Sequence, residues 1–182
     1  MRLLVLTLRL KTREDCWRLQ GNPRLRMKTL SAFVWKSMDT NSAPLRVLVD
    51  TNVILDWLFE RKPWSDEARS LWQAQGNELL VGYVPASSVT DIFYIARRLK
   101  DINAAFASID RVFASLEIFP VDDTLLRVAR SLPGNDFEDN VQIACAQAAG
   151  LDLIVTRNTA DFAHAPIPAI GPPDIVNYLN RP

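Results

Sequence analysis

The chain has 182 residues, is 48% hydrophobic and balances 21 Lys/Arg against 21 Asp/Glu, so its length fits one catalytic domain with a sizeable core plus an appendage. The zero net charge hides a split: residues 1–44 hold nine Lys/Arg against three Asp/Glu, and residues 45–182 hold twelve against eighteen. That acidic excess argues against a body that grips nucleic acid by bulk charge, which needs a net basic face, and it suits carboxylates gathered around a divalent cation.

The amino terminus looks apolar over residues 1–10, yet Arg9, Lys11 and Arg13 interrupt it and no small-residue cleavage site follows. Neither a signal peptide nor a membrane span is expected. Residues 1–44 lack sustained periodicity and close on the polar run Asp39-Thr40-Asn41-Ser42-Ala43-Pro44. They read as a poorly ordered basic extension. Met27 and Met38 offer later starts, so an over-long reading frame is an open reading of that segment. Cys16 and Cys145 are too few for a disulfide framework, which makes the cytoplasm the expected compartment.

From Leu45 onward, short apolar runs alternate with longer helical ones. Strands are expected over residues 45–50, 78–84, 116–120, 153–156 and 167–170. Helices are expected over residues 53–61, 65–75, 88–99, 102–115, 123–131 and 137–149, with a short last one at 174–179. Strands parted by helical segments of this length imply right-handed crossovers, hence a mostly parallel sheet covered on both faces. The expected fold is α/β, a three-layer α/β/α sandwich around about five strands, occupying residues 45–182.

The first strand ends abruptly, Arg46-Val47-Leu48-Val49 giving way to Asp50-Thr51-Asn52. In an open parallel sheet ligands and metals sit beyond the carboxyl ends of the strands, so an acid in that place points into the crevice. Any one of the three polar residues would also cap the next helix, but three in a row exceed that need. Three more acids fall on the same edge: Asp91 in Ser87-Ser88-Val89-Thr90-Asp91, Asp139 in Asp136-Phe137-Glu138-Asp139, and Asp161 in Thr159-Ala160-Asp161-Phe162. Singly, each has a capping or turn explanation; together they are better explained by one site. In the helix over 137–149, Asn135 as N-cap puts Glu138 at N3 to complete a capping box, which leaves Asp139 free, with Asp136 about 60° away on the same face. Carboxylates a few ångströms apart repel by about 4 kcal/mol per pair at an effective dielectric of about 20. A divalent cation relieves that repulsion, and all-oxygen ligands select Mg²⁺ or Mn²⁺ over zinc. His164 is the only histidine, which excludes a two-histidine metal site.

These motifs, with Val155-Thr156-Arg157-Asn158 before the last acid, resemble those of PIN-domain endoribonucleases, in particular the VapC toxins of bacterial toxin–antitoxin pairs, over residues 45–180. The resemblance implies that Asp50, Asp91, Asp139 and Asp161 form the catalytic acids binding Mg²⁺ or Mn²⁺, and that Thr51, Asn52, Thr156 and Asn158 orient the ligands; Asp136, on the same helix face as Asp139, is expected to add to the metal site. Asp91 stands where the family usually has Glu, so it would reach the metal through water. The implied activity is hydrolysis of single-stranded RNA by water activated on the cation, without a covalent intermediate. Arg157 would hold the RNA backbone; Arg97, Arg98 and Lys100 are a second candidate group, although cations at a helix C-terminus are ordinary dipole partners. The implied partners are RNA, a cognate antitoxin and a homodimer mate, with no membrane. Trp57, Trp64 and Trp72 read either as core or as an apolar groove for one of those protein partners. The rival reading is a non-catalytic PIN-like module that binds RNA or protein, which the Asp91 departure supports. A haloacid dehalogenase type of phosphatase fits poorly, since it wants a second Asp where this chain has Asn52.

Overall fold

The computed structural model describes residues 43–180, so the expectation for the basic extension lies outside the described residues except for the exposed Ala43 and Pro44. Five strands, β1 (Leu45–Val49), β2 (Leu80–Pro85), β3 (Glu117–Phe119), β4 (Leu153–Val155) and β5 (Ala169–Ile170), form one sheet in the order β3-β2-β1-β4-β5. Every neighbouring pair is parallel, with Val47 opposite Gly82 on one side and Leu153 on the other. The chain steps outward from β1 to β3 and then returns to the other side of β1 to lay down β4 and β5. The strand order therefore reverses between β1 and β4, and their carboxyl ends frame the crevice where ligands bind in such sheets.

The helices are α1 (Thr51–Leu58), α2 (Trp64–Glu67), α3 (Arg69–Gly76), α4 (Ala86–Leu99), α5 (Ile102–Ser115), α6 (Asp123–Ser131) and α7 (Phe137–Ala148). A 3-10 turn at Pro172–Asp174 leads into α8 (Ile175–Leu179). Asp side chains start several of them: Asp101 accepts from the Ala104 N–H at 2.8 Å and Asp122 from the Leu125 N–H at 2.8 Å. Several expected elements differ in their bounds, and two of the differences have a local cause. The helix expected over 65–75 is two helices, parted at Ala68, whose ψ of −2° leaves the α-helical range. The helix expected from residue 53 begins at Thr51, because Asp50 caps it directly from the end of β1.

Val47, Leu48 and Val49 of β1 and Leu153, Ile154 and Val155 of β4 are all fully buried, as befits central strands covered on both faces. Leu48 and Ile154 pack with Leu125, Val141, Ala144 and Phe162, which holds α6 and α7 against one face of the sheet. Each such Leu or Ile contributes roughly 1.5–3 kcal/mol by leaving water. Trp57 and Trp72 stack with ring centroids 4.4 Å apart, and the Arg111 guanidinium lies 4.5 Å from the Trp57 ring centre. Exposed aromatic side chains gather on the paired helices α4 and α5, where Tyr94, Phe106 and Phe113 face solvent. No helix among the described residues is long and apolar enough to cross a membrane.

Candidate active site

Asp50 is placed by two demands, since it must follow β1 and must also cap α1. Its Oδ1 accepts from the Asn52 N–H at 3.1 Å, and the residue is only 3% exposed. Burying a carboxylate requires further partners. Thr156, the first residue after β4, donates its hydroxyl to Asp50 Oδ2 at 2.7 Å, and Gln142 Nε2 on α7 donates to Oδ1 at 3.4 Å. The Thr156 hydroxyl in turn accepts from the Asn158 N–H at 3.0 Å. Asp50 is thereby tied to β4 and α7 across the switch point.

The start of α7 supplies the densest group of acids. Asp136 caps the helix, its Oδ1 accepting from the Glu138 N–H at 2.8 Å and the Asp139 N–H at 3.4 Å. The expected capping by Asn135 is therefore corrected by one residue. A carboxylate brings a full negative charge to the positive end of the helix, which a neutral amide does not. In this register Glu138 and Asp139 stand at N2 and N3, and no Glu closes a capping box.

Asp50, Asp136, Glu138, Asp139 and Asp161 line one cleft of about 440 Å³, together with Asn52, Trp64, Gln142, Arg157, Asn158 and Phe162. Asp161, exposed after β4, accepts a short hydrogen bond from the Asn158 amide. Burial and the neighbouring Asp136, Asp50, Asp161 and Glu138 push the Asp139 carboxyl up to about 7. Burial also raises Glu138, and Asp91, Asp50 and Asp136 raise it further, while the Thr51 hydroxyl lowers it. Because Glu138 is exposed as a residue, crowding by like charge is the firmer cause.

The structure thus brings Asp50, Asp136, Asp139 and Asp161 together, with Asn52 and Asn158 on the same cleft and Thr51 and Thr156 buried beneath it. Asp91 sits half-exposed on α4, outside the lining of the cleft, though its charge is felt at Glu138. Arg157 lines the cleft but is bound inward, its Nη1 3.2 Å from Oδ2 of the buried Asp56 and its guanidinium carbon 4.5 Å from the Trp64 ring centre. Sequence reasoning overlooked Asp56, Gln142 and the cleft position of Glu138. An acid inside the apolar run of residues 53–58 was a legible sign of a buried ion pair. The Gln142 amide had no such signal, since only α7 packing against β1 brings it to Asp50.

Among the described residues no three acidic, histidine or cysteine side chains already stand in metal-ligand geometry. The donor chemistry nonetheless fits a hard divalent cation. The cleft offers carboxylate and amide oxygens, its like charges repel, and the Gln142 Oε1 is buried without a hydrogen-bond partner.

A cleft of five carboxylates at the switch point of a parallel α/β sheet defines an acid-site α/β protein, with its chemistry at the carboxyl edge of the strands. The sequence profile of the PIN domain matches residues 46–160, more than half of the chain, and the chain belongs to the PIN-domain family. A comparison with curated proteins matches none. Among solved structures, the chain is similar to DNA-bound VapBC from Salmonella typhimurium, with a TM-score of 0.55 and 17% identity over 70% of this chain and 98% of that one. It is also similar to VapBC2 from Rickettsia felis bound to a fragment of its promoter, with a TM-score of 0.54 and 14% identity over 70% and 98%. A third is VapC20 from Mycobacterium tuberculosis, a toxin that cleaves the sarcin–ricin loop, with a TM-score of 0.50 and 16% identity over 59% and 86%. At these identities the likeness is one of fold, and that fold is VapC-like.

Proposed function

We propose that the chain is a Mg²⁺- or Mn²⁺-dependent endoribonuclease that hydrolyses phosphodiester bonds of single-stranded RNA, and that it is the cytoplasmic toxin of a toxin–antitoxin pair. The observation that carries this reading is the crowding of five carboxylates around one cleft, with Asp50 buried and held by Thr156 and Gln142. PIN-domain nucleases use divalent metals, and a structural neighbour, VapC20, is a toxin that cleaves the sarcin–ricin loop. Asp50, Asp139 and Asp161 would hold the cation, with Asp136 beside them and Asp91 acting through water. When bound, the cation lowers the pKa of water and offsets the charge that gathers on the phosphoryl oxygens.

The remaining work falls to the chain itself. Thr156 and the Asn52 N–H fix both oxygens of Asp50, so its carboxylate needs no reorganisation on ligation. Asn158 orients Asp161 in the same way. Asp139, with its carboxyl pushed up to about 7, is only partly ionised in near-neutral solution, and a bound cation would compete with its proton.

An antitoxin partner and a homodimer belong to the same proposal. Several structural neighbours are toxin–antitoxin complexes, and the exposed Tyr94, Phe106 and Phe113 offer apolar surface for a protein mate. Incubating the purified protein with single-stranded RNA tests the activity. Cleavage is expected with Mg²⁺ or Mn²⁺, none with EDTA, and a loss of orders of magnitude in Asp50→Asn with the circular dichroism spectrum kept. Full activity in Asp50→Asn overturns the metallonuclease reading. RNA binding without cleavage under any divalent metal favours the non-catalytic module.

A further inference from the structure

Asp56 is 1% exposed on α1, and its charge is met by two guanidinium groups, Arg157 at 3.2 Å and Arg61 at 3.8 Å. The three groups together carry one positive charge in excess, and Arg157 brings the one basic side chain to the lining of a cleft that holds five acids. The ion pair also fixes where Arg157 can go. Held from behind by Asp56, its guanidinium lies 4.5 Å from the ring centre of Trp64. Trp64 stands on α2 with 40% of its surface exposed, in contrast to Trp72, which is buried in its stack with Trp57. An indole left this open contributes little to the core, and it lines the cleft that holds Asp50, Asp139 and Asp161.

An aromatic ring backed by a cation beside a phosphodiester site suits one ligand chemistry in particular. Unpaired bases stack on aromatic side chains with little dependence on sequence, and an arginine beneath the ring adds cation–π attraction. We propose that Trp64, backed by Arg157, is a stacking platform for one unpaired nucleobase of the RNA next to the scissile phosphate. Asp56 is then the positioning residue that keeps the Arg157 plane beneath the indole. Base faces in a duplex are covered by their neighbours, so the platform selects single strands. The excess positive charge of the triad offsets the repulsion that phosphates meet from the acids. This inference rests on the ribonuclease reading and adds the subsite that recognises the base.

The test is steady-state cleavage of a single-stranded RNA of about 12 nucleotides with Mn²⁺, comparing the wild type with Trp64→Ala and Trp64→Phe. In Trp64→Ala the KM rises about tenfold while kcat changes less than about twofold, and Trp64→Phe stays within about threefold of the wild-type KM. Replacing one nucleotide at a time with an abasic residue raises the wild-type KM by a similar factor at one position, and at that position adds nothing in Trp64→Ala. An unchanged KM in Trp64→Ala, or abasic effects that add to it at every position, overturns the platform and leaves the nuclease reading standing. Absence of cleavage by the wild type with any divalent cation overturns both. If Trp64→Ala does not fold, the abasic series with the wild type and Trp64→Phe decides, and no position-specific effect there overturns the platform.

Discussion

The Thr156 hydroxyl donates to Asp50 Oδ2 at 2.7 Å, joining the residues that follow β1 and β4, strands adjacent in space but 106 positions apart in the chain. Thr156→Val keeps the shape and removes the donor, leaving a buried carboxylate one partner short. Stability should fall by about 1–3 kcal/mol in urea unfolding, and Mn²⁺ affinity by roughly 10- to 100-fold in a calorimetric titration. Thr156→Ser restores the donor and should recover most of both. Equal Mn²⁺ affinity in Thr156→Val and the wild type would show that the hydroxyl does not prepare Asp50.

Asp136 and Asp139 lie three residues apart at the start of α7 and should respond differently. Asp136→Ala removes the N-cap and should cost about 1 kcal/mol of stability. Asp139→Asn removes a charge crowded by Asp136, Asp50, Asp161 and Glu138. It should raise the melting temperature of the metal-free protein at pH 8 while abolishing cleavage. A lower melting temperature in Asp139→Asn would mean that the acids do not repel one another in the fold.

The raised Asp139 carboxyl also sets a pH dependence. Its ordinary value is 3.8 and its folded value about 7, so between these limits the folded chain binds more protons than the unfolded one. The metal-free protein should therefore lose stability from this group as pH rises through that window. Metal binding must displace the proton, so Mn²⁺ affinity should rise with pH and level off above about 7. Calorimetric titrations in buffers of different ionisation enthalpy, read for protons released, check this; affinity flat from pH 5 to 8 (roughly the range of ordinary buffered assays) would contradict it.

Asp56→Ala breaks a buried ion pair. Burial already raises the Asp56 carboxyl against the pull of Arg157 and Arg61, so the pair itself adds little net stability. Its one-sided removal leaves both guanidinium groups uncompensated, but each keeps some solvent contact. The loss should be about 3 kcal/mol, the low end for such a break, measured by denaturant unfolding.

All five strands lie within residues 45–170, and the buried hydrophobic residues among the described ones run from Val47 to Ile175. A chain that begins at Met38 should fold and melt like the full chain. A melting temperature lower by many degrees would show that residues 1–37 pack on the domain.

The alternation of strands and helices was legible in the sequence, because central strands buried on both faces read as unbroken runs such as Val47-Leu48-Val49, set between longer stretches of helical periodicity. Asp50 and Asp161 were legible for a related reason: in a parallel sheet every strand's carboxyl end faces one edge, so acids after different strands gather without any knowledge of the strand order, whereas Asp139 was legible as an acid in the first turn of a helix. Tertiary structure alone decided the rest. The strand order β3-β2-β1-β4-β5 made Thr156 a neighbour of Asp50, a contact that no local pattern encodes. The one-residue register of α7 turned Asp136 into a cap and Glu138 into a cleft residue, a difference smaller than propensity can resolve. Asp91 lies on the sequence-predicted edge but outside the cleft lining, and Arg157 pairs with the buried Asp56, because the space and charge left by neighbouring elements, rather than position along the chain, decide where a side chain can go.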